Sequence, residues 1–298
     1  MDAATTKAAP PRTVSIDTIL PGEMAMRAEQ AGVRRASMDP LTMLVLSVMG
    51  GAFIAFGAIF ATTVSAGSSA LPYGLAKLLS GIVFALGFVM VVVAGAELFT
   101  GNNLIVMAWA SGKVRTRSLL LNWLITFTGN CFGAVATAAL MLFTTQYTFG
   151  AGAVGLAALT TANSKAALAF APALALGIMC NALVCLASWM CYSARTAVDR
   201  VAIIVLPIAA FVTAGFEHSI ANAYFIPMGL FIKATAPDSF WTSIGKTGAD
   251  FPALTWAGCL GNLVPVAIGN IIGGSLLVAA VYWFVYLRKP GHSPTSTP

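Results

Sequence analysis

Two side chains able to take or give a proton stand side by side deep in apolar sequence: Glu217 and His218, in AGFEHSIAN at 214–222. A carboxylate can act as a base or an ion partner. An imidazole donates a hydrogen bond while neutral and takes up a proton near physiological pH. The other histidine of the 298-residue chain, His292, lies in a polar tail. A near-copy of the phrase, AGAELFTGN, occupies 94–102, so Glu97 answers Glu217, Asn102 answers Asn222 and Leu98 answers His218. The matched glutamates point to a shared architectural task, each carboxylate accepting hydrogen bonds from backbone N–H groups freed where a helix breaks. His218 has no counterpart, so a symmetric scaffold does not require it. It is either a pore residue or a satisfied core histidine. Thr100 adds a hydroxyl just past the first phrase. Asn130, Asn181 and Asn270 lie within apolar runs and need partners, as glue between helices or as lining of a path. Lys165 is the single charge between 118 and 194, either an interfacial lysine or a lure for anions. The five cysteines have no metal-ligand spacing, and neither a catalytic set, a metal nor a cofactor is expected.

The elements that must hold these groups are membrane spans. The chain is 58% hydrophobic and 9% charged, with mean hydropathy +0.87, far from the composition of soluble domains. Windows 40–76, 118–164, 166–194 and 251–287 contain no Asp, Glu, Lys or Arg, and a span needs about 20 apolar residues. The N-terminus lacks the apolar segment of a secretory signal. The net charge of +6 fits span-flanking basic residues, so no nucleic-acid partner is expected.

Six hydrophobic units fit, at 41–66, 73–111, 118–145, 167–193, 201–231 and 256–287. Asp39 and Pro40 form a helix start for the first. Residues 22–36 predict a short helix, with Glu23 near its start and Arg34 and Arg35 near its end, as the helix dipole favours. Basic residues concentrate in the N-terminal tail, loops 112–117 and 194–200, and the C-terminal end, which places both termini in the cytoplasm. The domain plan is a tail at 1–40, a membrane domain at 41–287 and a tail at 288–298.

The second unit is too long for one span and too short for two. It and the fifth carry the paired phrases in their interiors, which points to broken helices. Irregular backbone at that depth requires surrounding protein or a water-filled cavity. GNCFGA (129–134) in the third unit also matches GNIIGG (269–274) in the sixth. Halves of about 41–145 and 167–287 therefore repeat, and three spans per half force the second to be inverted, with a site where the breaks meet. The small-xxx-small spacings Gly129/Gly133 and Gly269/Gly273 favour close helix packing and suggest faces that need partners in an oligomer.

AELFTGN, GFEHSIANAYFIPMG and NLVPVAIGNIIGG, with the chain from LPGEMAMRAEQAGVRRA to VYWFVYLR, resemble the formate/nitrite transporter family, and within it bacterial formate channels. The resemblance implies an all-α, aquaporin-like bundle of six transmembrane helices with an inverted 3+3 repeat and broken helices 2 and 5. It implies a homopentamer in the bacterial inner membrane, with a pore for formate, or secondarily nitrite, in each protomer. It places the pore histidine on His218, the loop threonine on Thr100, the vestibule lysine on Lys165 and pore asparagines on Asn181 and Asn270. Constrictions fall on Phe84 and Phe211 on one side and on Leu98, Phe99 and Val184 on the other, with Phe88 at a constriction position where Leu is expected. It also implies gating by the N-terminal segment. Two other readings stand beside it: a membrane-embedded enzyme using Glu217 and His218, and a channel for neutral solutes or ammonium.

Overall fold

The structure is a computed structural model describing residues 17–288, apart from the side chain of Ser69. Residues 1–16 and 289–298, and with them most of the two tails assigned from sequence, lie outside the described residues. Every regular element among the described residues is helical. Helix α1 (Pro21–Ala36) has a proline in its first turn, Glu23 beside it and Arg34 and Arg35 in its last turn. Helix α2 (Pro40–Ser65) begins as its sequence predicts, with Asp39 Oδ2 accepting the Thr42 N–H at 3.0 Å.

Helix α3 (Tyr73–Ala94) stops at Gly95, whose φ of 85° closes the helix in the left-handed region. Glycine tolerates that conformation where a Cβ would be strained. The chain then runs irregularly to a short 3-10 turn at Gly101–Ile105 and the one-turn helix α4 (Val106–Ala110). Helices α5 (Thr116–Phe143), α6 (Ala153–Ala166) and α7 (Phe170–Met190) follow. Helix α8 (Ala197–Thr213) opens on a reciprocal capping box between Thr196 and Asp199 and gives way, just before Gly215 at φ 73°, to α9 (Ser219–Thr235). Helix α10 (Asp238–Ile244) precedes α11 (Trp256–Ile272), which continues as a π-helix over Gly273–Ala280 and as α12 (Val281–Tyr286). Five helical stretches are long and apolar enough to cross a membrane: 40–65, 73–94, 116–143, 170–193 and 256–286. The fifth unit seen in the sequence is divided between α8 and α9, 17 residues each.

Long helices pack in matched pairs, α2 along α5 and α7 along α11, with α3 along α8. At Gly133 a Cβ would overlap the Val48 carbonyl oxygen, and at Gly273 it would overlap that of Ile178. These glycines therefore let α5 and α11 press onto the backbones of α2 and α7. This corrects one expectation: the small-residue faces are covered inside the protomer, so they supply no argument for an oligomer.

The matching also begins earlier than the sequence showed. Helix α1 packs on the 101–105 turn and α4, as α6 packs on α9. Numbering offsets align α1 with α6, two short helices that lie outside the halves at 41–145 and 167–287.

Gly133→Val should cost at least about 2 kcal/mol, because the obstacle is backbone rather than a movable side chain. Gly74→Ala, with nothing within 4 Å of the added Cβ, should be close to neutral. Melting of the detergent-solubilised protein separates them, and equal stability of the two variants would contradict this account of the packing.

Candidate functional site

The chain breaks after α3 and before α9 leave backbone groups without helical partners, and two asparagines supply those partners in the same pattern. Asn130 on α5 accepts the Phe99 N–H on Oδ1 at 2.8 Å and donates to the carbonyls of Glu97 (2.9 Å) and Ser47 (2.6 Å). Asn270 on α11 accepts the Ser219 N–H at 3.0 Å and donates to the carbonyls of Glu217 (3.0 Å) and Gly177 (2.9 Å). The N–H groups of Glu97 and Glu217 reach the carbonyls of Leu46 and Leu176 at 3.2 and 3.3 Å. Asn130 and Asn270 are fully buried, where every such group needs a partner.

The carboxylates were expected to accept these freed N–H groups. They do not. Glu97 Oε2 accepts the Asn102 amide at 2.7 Å and Glu97 Oε1 faces Arg35 Nε at 3.3 Å. Glu217 Oε2 accepts the Asn222 amide at 2.5 Å and Glu217 Oε1 accepts Lys165 Nζ at 2.7 Å. The physical reason is reach: Asn130 and Asn270 already saturate the breaks, which frees each carboxylate to be neutralised by a cation from α1 or α6. The pattern extends one residue further. Asn122 and Asn262 accept from Asn102 and Asn222 on Oδ1, at 3.0 and 2.7 Å, and donate to the Arg35 and Lys165 carbonyls. Lys165 is thus a partly buried ion partner of Glu217, with its side chain 16% exposed and its ammonium 5.5 Å from the centre of the Phe225 ring.

The two halves differ at their centre. His218, at the N-terminus of α9, accepts the Ala221 N–H on Nδ1 at 3.1 Å. A backbone N–H can only donate, so Nδ1 carries no proton and the neutral ring holds its hydrogen on Nε2. That hydrogen faces Thr100 Oγ1 at 3.0 Å, leaving the threonine O–H free to donate onward. Asn181 Nδ2 and Cys185 Sγ hold the Thr100 carbonyl from α7 at 3.3 and 3.2 Å.

A cavity of about 340 Å³ reaches His218, lined also by Lys77, Phe84, Lys165, Phe211 and Glu217. A second, about 220 Å³, is lined by Arg35, Phe88, Glu97, Leu98, Tyr192 and Arg200, among others. Along α3, Lys77, Ser80 and Phe84 face the first cavity and Phe88, Val91 and Val92 the second. Lys77 and Val92 lie about 22 Å apart at 1.5 Å per residue, so the cavities open toward opposite ends of the fold. Phe84 and Phe211 meet edge to face at 5.7 Å, and the Phe211 ring lies nearly parallel to His218 with centroids 6.0 Å apart.

Phe99, Val184, Asn181 and Asn270 are buried and line neither cavity. Sequence reasoning passed over Asn122, Asn262, Asn103, Tyr192 and Arg200, and read Arg35 only as a helix-end charge. The asparagines had a signal: Asn122 precedes Asn130 as Asn262 precedes Asn270, at one spacing. Among the described residues no three His, Cys, Asp or Glu side chains gather as a metal site.

Lys165→Met strands a buried carboxylate, which typically costs about 3–5 kcal/mol. The double variant Lys165→Met/Glu217→Gln should recover more than half of that loss in thermal stability. A double variant as unstable as the sum of its singles would show that the pair does not act as a unit.

The sequence profile described as the formate/nitrite transporter family matches residues 22–284. The chain is 46% identical over 277 residues to the formate channel FocA of Escherichia coli strain K12, covering 93% of this chain and 97% of that one. It is 37% identical to formate channel FocA of Haemophilus influenzae, covering 87% and 92%. A solved structure described as a pentameric formate channel with formate bound superposes with a TM-score of 0.80 at 42% identity, over 84% of this chain and 98% of that chain. These relatives are channels rather than enzymes, in keeping with Glu217, whose oxygens bond to Lys165, Asn222 and Asn262 and not to His218. With the profile spanning most of the chain and the identity extending over nearly all of it, the protein belongs to the formate/nitrite transporter family.

Proposed function

We propose that the chain is a transmembrane channel or transporter for small monovalent weak-acid anions, with formate as its substrate. The observation that carries this reading is the Thr100–His218 hydrogen bond, set between two cavities that each hold a neutralised carboxylate. Anion repulsion by Glu97 and Glu217 is thereby lowered, and a donor chain runs from His218 Nε2–H, at the larger cavity, to the buried Thr100 hydroxyl. A bare anion meets a severe desolvation barrier among Phe84, Phe211, Phe88 and Leu98. A proton delivered by or through His218 removes most of it, because the neutral acid crosses without its hydration shell. Nitrite, with the same charge and a similar bent shape, is the second reading, in line with the family's description.

The proposed architecture is six spans, with α3 and α4 forming the second and α8 and α9 the fifth. The two halves are related by inversion so that their breaks meet at mid-membrane. The equivalent brackets around Asn130 and Asn270 support the pairing, and the distribution of basic residues supports cytoplasmic termini in a bacterial cell membrane. The superposition on a pentameric channel supports five copies. Native mass spectrometry after mild extraction should give a pentamer, and a monomer under those conditions would contradict it.

His218→Asn should retain a hydrogen-bond donor but lose titration. Formate uptake into proteoliposomes, with internal pH followed by a dye, should lose at least about a hundredfold of its proton-coupled rate, the lower end for one acid–base group. Wild-type rate, pH profile and proton stoichiometry in this variant would sink the mechanism.

A further inference from the structure

Each cavity is lined by one asparagine whose side-chain oxygen has no hydrogen-bond partner among the described residues: Asn222 at the larger and Asn102 at the smaller. Their identity as acceptors follows from a chain of obligations. The Lys165 carbonyl can only accept, so the Asn262 group facing it at 2.9 Å is NH₂. Asn262 therefore turns its oxygen to Asn222, at 2.7 Å, and the Asn222 group meeting it must be NH₂ as well. The second N–H of Asn222 goes to the Glu217 carboxylate, so the remaining atom is an oxygen that accepts and cannot donate. The Arg35 carbonyl, Asn122, Asn102 and Glu97 repeat the logic in the other half. Both asparagines are almost completely buried, at 0% and 1% exposed. Three other orphaned side-chain atoms, on Asn181, Ser219 and Ser275, belong to residues lining neither cavity.

A bare anion offers only acceptors and cannot satisfy such an oxygen; a protonated acid can. Resting on the proposed transport of a weak acid, we infer that Asn222 and Asn102 are specificity-determining acceptors for the O–H of the neutral acid. Each works beside a cation, Lys165 or Arg35, whose free N–H groups bind the acid's carbonyl oxygen. Lys165 offers three N–H groups and Arg35 five, and each engages its glutamate through one of them. The cation and the asparagine's amide nitrogen are tied to opposite oxygens of one carboxylate, so each carboxylate places both groups at the same cavity. The only bond formed is the acid's O–H; its proton comes from bulk hydronium through His218, as in the proposed transport step, and the donor's own O–H or N–H bond is the one broken. The charged or titratable groups facing this position are Glu217, Lys165, His218 and Lys77 in the larger cavity, and Glu97, Arg35, Arg200, Tyr192 and Cys191 in the smaller.

The test is the ratio of two fluxes in wild-type and Asn222→Leu proteoliposomes at one fixed pH. Electroneutral entry of formate with a proton is read by an internal pH dye, and electrogenic formate is read as current across a planar bilayer. Asn222→Leu, nearly the same size, should lower the electroneutral flux roughly tenfold relative to the current, the scale of one buried hydrogen bond. A parallel fall in both modes, as a merely structural role would produce, overturns the inference, as does an unchanged ratio. If Asn222→Leu does not assemble, Asn222→Thr and Asn102→Thr, which keep an oxygen on a shorter arm, carry the same comparison with a smaller expected change in the same direction. Wild-type protein that moves no formate in either mode overturns the transport reading itself, an outcome distinct from wild-type flux with an unaltered ratio.

Discussion

Asn130 and Asn270 each give an oxygen to the chain just past a break and two N–H groups to carbonyls on either side of it. Both asparagines are fully buried, and an unpaired backbone group in such apolar surroundings costs several kcal/mol. Two side chains, each using three of its four hydrogen-bonding positions, make an interrupted backbone tolerable in apolar surroundings. Glu97 and Glu217 are thereby left free to collect a cation and an asparagine, and α1 and α6 are anchored by the ion pairs that result.

On this duplicated frame, the proposed chemistry is carried by the positions where the duplication fails. His218 stands opposite Leu98 and Thr100 opposite Ile220, so the hydrogen bond between them occurs once. Asn181 and Asn103, which stabilise the Thr100 segment, replace Gly51 and Ala223 at equivalent places. The π-helix at 273–280 accompanies this asymmetry: Gly274 sits directly against Asn181, Cys185 and Asn103, and the corresponding stretch of α5 is regular α-helix. In the proposed channel, the duplicated ion pairs would give two mouths of similar electrostatics, and the local asymmetry one donor chain between them.

Much of this was legible in the sequence because the signals were local. AGAELFTGN and AGFEHSIAN marked both irregular segments, and the hydrophobic units at 41–66, 118–145, 167–193 and 256–287 matched long apolar helices within a few residues. The partners of the two glutamates were not legible, because Arg35 and Lys165 lie 62 and 52 positions before them and no periodicity links such distances. Asn122 and Asn262 were hidden for a related reason: their role appears only when the Arg35 and Lys165 carbonyls are seen to fix their orientation. The small-residue faces were read correctly as close packing and assigned to the wrong neighbour, since spacing along one helix does not say which helix it meets.

The central claim is that His218 is held as a neutral ring with its hydrogen on Nε2, pinned by the Ala221 N–H on one side and aimed at Thr100 on the other. Solid-state nitrogen NMR of histidine-labelled protein in lipid bilayers reads this directly, with the His218 signals assigned by their loss in His218→Asn. Near neutral pH the account predicts an unprotonated, pyridine-type Nδ1 and a protonated, pyrrole-type Nε2. A protonated Nδ1, whether in the other tautomer or in an imidazolium, would contradict it.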